Sequence, residues 1–108
     1  MRTGQPLSRS TVEAARLLGQ SIALARRERR WTVAELAERV GSSETTMRKV
    51  ERGDPSVALG TVFEAAALVG VPLFSDDAAT LARESELVEA RLAVLPQRVR
   101  RRHVDDEF

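Results

Sequence analysis

Apolar residues recur along this chain at the spacing of an α-helix, and polar or turn-forming residues separate the apolar stretches into five segments. The pattern therefore predicts an all-α protein with helices over residues 10–29, 33–40, 44–52, 57–69 and 76–94.

The segment from Thr32 to Gly53 predicts two short helices joined by a tight turn. Thr32 and Glu35 have the spacing of a capping box at the start of the first of them. Gly41 suits a sharp turn because it can adopt a positive φ, and Ser43 suits the cap of the second helix. Leu36, Ala37 and Val40 in the first helix, and Met47 and Val50 in the second, are then expected to face the core.

This spacing is typical of a helix-turn-helix, in which the second helix lies in the DNA major groove and the first braces it across the backbone. The segment resembles the lambda-repressor-like, Cro-type (XRE) family over about Leu18 to Leu73. The matching motifs are L-G-x-x-I from Leu18, Arg26, W-T-x-x-E-L-A from Trp31, G-x-S from Gly41, E-R-G from Glu51 and V-G-V-P-L from Val69. The resemblance implies a five-helix domain that binds DNA.

The resemblance also implies roles for single residues. Arg26 and Glu51 match positions that form a partly buried ion pair between the first and third helices. Trp31 matches a position that packs beside the turn between the first two helices. Two departures imply fewer contacts with the DNA backbone. Val33 stands where many members have glutamine, and Asp54-Pro55 replaces a loop that is often basic.

The candidate DNA-binding residues are Ser43, Glu44, Thr45, Arg48, Lys49, Arg52 and Val33. In the second motif helix, Arg48 can fork to a guanine, Glu44 can accept from a cytosine and Thr45 can touch a thymine methyl. Ser43 and Arg52 suit phosphate contacts. Because Glu44 and Arg48 are four residues apart, an intrahelical ion pair is the alternative for those two side chains.

Two other helix starts are predicted from serines. Ser10 suits the cap of the first helix, and Ser56 suits the cap of the fourth, although Thr61 offers a later start. In the fourth helix Val62 is expected on the core face, with Leu59 beside it.

Charge is balanced overall but locally clustered. The 108 residues are 43% hydrophobic and 31% charged, with a net charge of +1. Arginines crowd the end of the first helix, where Arg27, Arg29 and Arg30 either match the helix dipole or contact phosphate. They also crowd the tail at Arg98, Arg100, Arg101 and Arg102.

Several other functions lack the residues they need. There is no cysteine, and His103 is the single histidine, so neither a metal site nor a catalytic triad is expected. Paired carboxylates at Asp76-Asp77 and Asp105-Asp106 form no pocket by sequence. We expect no enzyme activity, no cofactor, no membrane-spanning segment and a cytoplasmic location.

The expected domains are a flexible arm at 1–9, the DNA-binding domain at 10–75, a C-terminal helix at 76–95 and a mobile charged tail at 96–108. Leu81, Val88, Leu92 and Leu95 give the C-terminal helix an apolar stripe, which can pack on the domain or against a second subunit.

The expected function is a transcriptional repressor that binds a palindromic operator in double-stranded DNA as a homodimer. The alternative, by resemblance, is a HipB-like antitoxin that also holds a HipA-type kinase toxin through its tail and autoregulates its operon.

Overall fold

The computed structural model describes residues 6–75, 77–99 and 101, and within them it contains five α-helices and no strand. The helices are α1 (Arg9–Glu28), α2 (Val33–Val40), α3 (Glu44–Arg52), α4 (Leu59–Val69) and α5 (Ala78–Ala93). The all-α prediction is confirmed. The chain divides into two units, Met1–Asp76 and Asp77–Phe108, so α1 to α4 belong to the first and α5 to the second.

The core of the first unit lies where α1, α2, α3 and α4 meet. Its buried residues are Ile22, Leu36, Ala37, Met47, Val50, Ala65, Ala66 and Val69. Val40 and Val62 are partly buried and pack against them, as the spacing predicts. Leu59 was expected beside this core but is mostly exposed, because it is the first residue of α4.

Two predicted helix starts are wrong. The cap of α1 lies two residues earlier than predicted, since it is Ser8 and not Ser10, and the Ser8 hydroxyl accepts from the Thr11 amide at 3.3 Å. α4 begins two residues later than predicted. Its cap residue is Ala58 and not Ser56, whose hydroxyl and amide both donate to the Asp54 carboxylate, at 2.7 and 2.8 Å.

α5 is slightly shorter than the predicted 76–94. Its cap is Asp77, whose carboxylate accepts from the Ala79 amide and the Thr80 hydroxyl, at 3.3 and 2.7 Å. Asp76 lies outside the described residues. No residue of α5 is buried, so its predicted apolar stripe is exposed.

Candidate nucleic-acid interface

α3 is held at both ends by the local contacts that the sequence predicts. The Ser43 hydroxyl accepts from the Thr46 amide at 3.0 Å, and Gly53 ends the helix with φ 81°. At the turn before α3, Gly41 has φ 82°, and the Thr32–Glu35 capping box is formed at the start of α2. α2 and α3 therefore form the predicted helix-turn-helix.

Two glycines let α3 approach α1 closely. A Cβ added to Gly19 would lie 2.5 Å from the Val50 carbonyl oxygen, and one added to Gly53 would lie 2.7 Å from the Arg16 Cα. Because both obstacles are backbone atoms, any side chain larger than hydrogen would push the helices apart. The crossing of α1 and α3 thus depends on the glycines, and it sets the position of α3 against the core.

An ion pair ties the same two helices together. Arg26 donates to both carboxylate oxygens of Glu51, from Nε at 2.6 Å and from Nη2 at 3.0 Å. Its third contact is to the Trp31 carbonyl oxygen, from Nη1 at 2.7 Å. The side chains are only 9% and 11% exposed. The pairing that the resemblance implied is confirmed, and it links α1, α3 and the turn before α2.

Two arginines lie near the ring of Trp31 at the edge of the core. It packs against the buried cluster, as the resemblance implied. The Arg39 guanidinium lies 4.1 Å from its ring centroid and that of Arg29 lies 5.4 Å away. Arg29 also donates from Nε to the Val69 carbonyl oxygen at 3.1 Å. This arginine therefore joins the end of α1 to the end of α4, a contact between residues 40 positions apart that the sequence pattern did not predict.

The outer face of α3 is accessible and carries most of the candidate residues. Glu44, Thr45, Arg48, Lys49 and Arg52 are all exposed, as is the capping residue Ser43. Arg48 Nη2 lies 3.2 Å from Glu44 Oε1, so the alternative intrahelical pair is present. With the two side chains 61% and 52% exposed, this pair is weak, and Arg48 can exchange it for another contact at little cost.

A groove with a volume of about 550 Å³ runs between α1 and α3. It brings Val33, which begins α2, together with Arg48 and Arg52. Gln20 and Arg27 of α1 line the same groove. The candidate set omitted these two, and the arginine run at the end of α1 was the only signal in the sequence for Arg27.

A second groove of about 340 Å³ lies on the Lys49 side of α3. Hydroxyl side chains dominate its polar lining, and its residues are Ser42, Thr46, Lys49, Ser56, Val57, Ala58 and Thr61. Ala58 is the cap residue of α4 and provides no side-chain hydrogen bond. Open grooves thus lie on both sides of α3.

The loop after α3 reduces the positive field at this surface. The Ser56 hydroxyl and amide donate to Asp54, and together with nearby Lys49 and Arg52 they hold the pKa of this carboxyl below its ordinary value. Asp54 therefore stays ionised near neutral pH beside two cations of the candidate surface.

The remaining chemistry of the described part is sparse. No cluster of three metal-ligating side chains occurs among the described residues. No described helix is both long and apolar enough to cross a bilayer. His103, Arg100, Arg102, Asp105 and Asp106, and the arm up to residue 5, lie outside the described residues.

Two short helices joined by a tight turn, with the second held on a helical core and its outer face exposed, are the geometry of the helix-turn-helix class of DNA-binding domain. A family model described as a helix-turn-helix domain matches residues 17–81, more than half of the chain. The chain belongs to this family, in agreement with the Cro-type resemblance. The comparison with curated proteins returned no match.

Proposed function

We propose that this protein is a sequence-specific transcriptional repressor that binds a palindromic operator as a homodimer. The observation that carries the proposal is the outer face of α3. It exposes Arg48, Lys49 and Arg52 on a helix whose inner face is fixed by buried Met47 and Val50. A rigid helix with an exposed basic face suits insertion into the major groove.

The base-reading residues we propose are Glu44, Thr45 and Arg48. Glu44 and Thr45 lie in the first turn of α3, which in this motif contacts base edges. Arg48 lies one turn later, and its guanidinium can donate two hydrogen bonds to the two acceptors of a guanine. When Arg48 leaves Glu44 for a guanine, the freed carboxylate can accept from the amino group of a neighbouring cytosine.

Ser43, Lys49 and Arg52 are the proposed phosphate contacts on α3. The Val33 side chain cannot bond a phosphate. Its backbone N–H is in the first turn of α2, where amides lack intrahelical acceptors, so it can donate instead. Gln20 and Arg27 border the same groove and extend the proposed phosphate-binding surface onto α1.

We propose a homodimer because one subunit offers few contacts to the DNA backbone. Val33 and the anionic Asp54 both reduce backbone contacts, so a single half-site would be bound weakly. Two copies on a palindrome combine their contacts and also define the site's symmetry.

Selection from random duplex oligonucleotides, followed by gel-shift titration of the enriched site, tests the proposal. The full chain should enrich a palindromic motif, and the Arg48→Ala/Lys49→Ala double variant should enrich none. Arg83→Ala, which removes an exposed arginine of α5, is the matched control and should leave enrichment unchanged. Absence of any enriched site with the unchanged chain would refute sequence-specific binding.

The antitoxin alternative adds a toxin partner to the same DNA-binding activity. Its proposed docking segment, Leu95 to Phe108, lies largely outside the described residues, so it stays a prediction. Co-purification from the native host would show whether a kinase-like protein travels with this chain. Deleting residues 96–108 should spare operator binding and abolish toxin neutralisation; full neutralisation by the truncated chain would eliminate the tail's role.

A further inference from the structure

α5 has an apolar stripe that repeats at alternating intervals of four and three residues. Leu81, Val88 and Leu92 are its apolar members, Ser85 occupies the remaining position of the repeat, and Leu95 follows just beyond the helix. All of them are exposed, from 40% at Leu81 to 62% at Leu92. This interval pattern is that of a helix pairing with another helix along a coiled-coil seam.

Two opposite charges flank the stripe on the same side. Glu84 and Arg91 each directly precede a stripe position, Ser85 and Leu92. Neither has an opposite charge three or four residues away, the spacing at which helical side chains pair, because those neighbours are Thr80, Leu81, Leu87, Val88, Val94 and Leu95. Each charge is therefore free to pair with a residue of another helix.

The positions of these charges select one orientation for a second copy. In a parallel pair, a residue that directly precedes a seam position lies close to the residue five positions later in the partner helix. Glu84 would then lie against Glu89 of the second copy. In an antiparallel pair with Leu81 opposite Leu92, Glu84 meets Arg91 of the second copy, twice by symmetry. The parallel pair repels and the antiparallel pair attracts.

We propose that α5 is the self-association surface of this protein and that two copies pair antiparallel through it. The inference rests on the homodimer of the proposed function and deepens it by giving the surface, the register and the orientation. The occupant is a second copy of this chain, since the charge pattern of α5 is complementary to itself in one direction only.

The seam is short, so the dimer should be weak without DNA. Three large apolar side chains per helix, with Ser85 among them, bury much less surface than a stable obligate interface needs. We expect the free chain to exchange between monomer and dimer, and an operator with two half-sites to hold the dimer together through both of its DNA contacts.

Sedimentation equilibrium of charge variants tests the orientation. Glu84→Arg places like charges at both Glu84–Arg91 positions and should weaken the dimer about tenfold, since each pair is worth only a few-fold. The swap Glu84→Arg/Arg91→Glu should restore it. In a parallel dimer Glu84→Arg would instead meet Glu89 and strengthen association, and that result would overturn the proposal.

A matched pair of apolar variants tests the surface. Val88→Glu puts a charge in the centre of the seam and should abolish dimerisation. Ala90→Glu adds the same charge at an exposed position outside the stripe, not three or four residues from Glu84 or Arg91, and should leave dimerisation unchanged. Circular dichroism of both variants checks that α5 is still helical. Equal effects of the two changes, or a wild-type chain that is monomeric at every concentration, would also overturn the proposal.

Cysteine crosslinking gives an independent readout, because the chain has no cysteine of its own. Ser85→Cys and Val88→Cys chains, mixed and oxidised, should form the mixed crosslink in preference to either self-crosslink; the reverse preference would indicate parallel pairing. Gel-shift titration of the selected operator distinguishes a failure of the proposed α5 interface from a failure of the proposed DNA-binding function. If binding to a palindrome survives while all three α5 tests fail, the α5 interface is wrong and the proposed DNA-binding function stands.

Discussion

Arg26 and Arg48 show how differently two ion pairs of the same chemical type act in one small protein. The Arg26–Glu51 pair is nearly buried and bidentate, whereas the Arg48–Glu44 pair is exposed and has one contact. Burial removes the water that would otherwise solvate a charge whose partner is lost. The first pair therefore supports the fold, and the second leaves Arg48 available for a ligand.

We predict that Arg26→Ala lowers the free energy of unfolding by about 3 kcal/mol, because it strands the Glu51 carboxylate and leaves the Trp31 carbonyl without its donor. Urea denaturation measures the loss. Arg48→Ala is the control and should cost less than about 1 kcal/mol. Equal losses in the two variants would show that the Arg26 pair has no special structural role.

At the interface, Arg48→Ala should weaken binding to the selected operator by about 1–3 kcal/mol and relax the base preference at one position in each half-site. The physical reason is loss of the forked contact with guanine. Gel-shift titration against operators substituted at each position measures both effects. A uniform loss at all positions would show that Arg48 contacts phosphate instead.

At the scale of the helices, glycine has opposite consequences at different positions. Gly19 lies at the crossing of α1 and α3, where the Val50 and Glu51 carbonyl oxygens leave no room for a Cβ. Gly60 lies in the first turn of α4, and a Cβ added there would have nothing within 4 Å. Only the first glycine is required by packing.

Accordingly, Gly19→Ala should destabilise the protein by about 2 kcal/mol, because two backbone segments must separate to admit the methyl group. Gly60→Ala should stabilise it by up to about 1 kcal/mol, because alanine is the better helix former. Urea denaturation of the two variants gives the comparison. A neutral Gly19→Ala would mean that the crossing can relax freely.

Helix caps make stability depend on pH in the acid range. The pKa of Glu35 lies below its ordinary value of 4.5. The largest cause is the hydrogen bond from the Thr32 amide, and the Thr32 hydroxyl lowers the pKa further. A carboxyl with a lowered pKa in the folded state adds stability above its unfolded pKa and loses it as the pH falls through the folded value. The pKa values of Asp54 and Asp77 are lowered in the same direction by their own cap and turn contacts.

Stability should therefore fall as the pH drops below about 4.5. Glu35→Gln keeps an acceptor for the Thr32 amide but cannot titrate. Its stability deficit relative to the unchanged chain should be largest near pH ~6 and should shrink towards pH ~3, as urea denaturation at both pH values will show. A deficit independent of pH would mean that the charge of Glu35 adds nothing to the cap.

For the molecule as a whole, the distribution of charge matters more than its sum. The net charge is only +1, so no strong overall field attracts DNA. Locally, Arg48, Lys49 and Arg52 are exposed on α3, and Arg27 lines the groove beside them. Affinity should depend on a few local phosphate contacts, each with its own contribution to the salt dependence.

Arg52→Ala should weaken binding to operator and unrelated duplexes by the same factor and reduce the slope of log affinity against log salt by about one, because one phosphate contact is lost. Titrations at several salt concentrations measure the slope. Arg83→Ala should leave the slope unchanged. A loss confined to the operator would reassign Arg52 to base recognition.

The sequence by itself determined α2, the turn and α3. The capping box at Thr32 and Glu35, the Ser43 cap and the left-handed turn at Gly41 form within three or four residues, so short-range pattern is sufficient to predict them. The Arg26–Glu51 pair needed the resemblance to a known family, because nothing local joins residues 25 positions apart.

Only the tertiary structure decided the contacts that depend on chain segments meeting. The Arg29 guanidinium reaches the Val69 carbonyl, and Gln20 and Arg27 come to line a groove beside Arg48. Each of these brings together residues that are far apart in the sequence, which a hydrophobic pattern alone does not predict. The pattern predicts which faces are buried, and packing determines which polar atoms then lie within reach of one another.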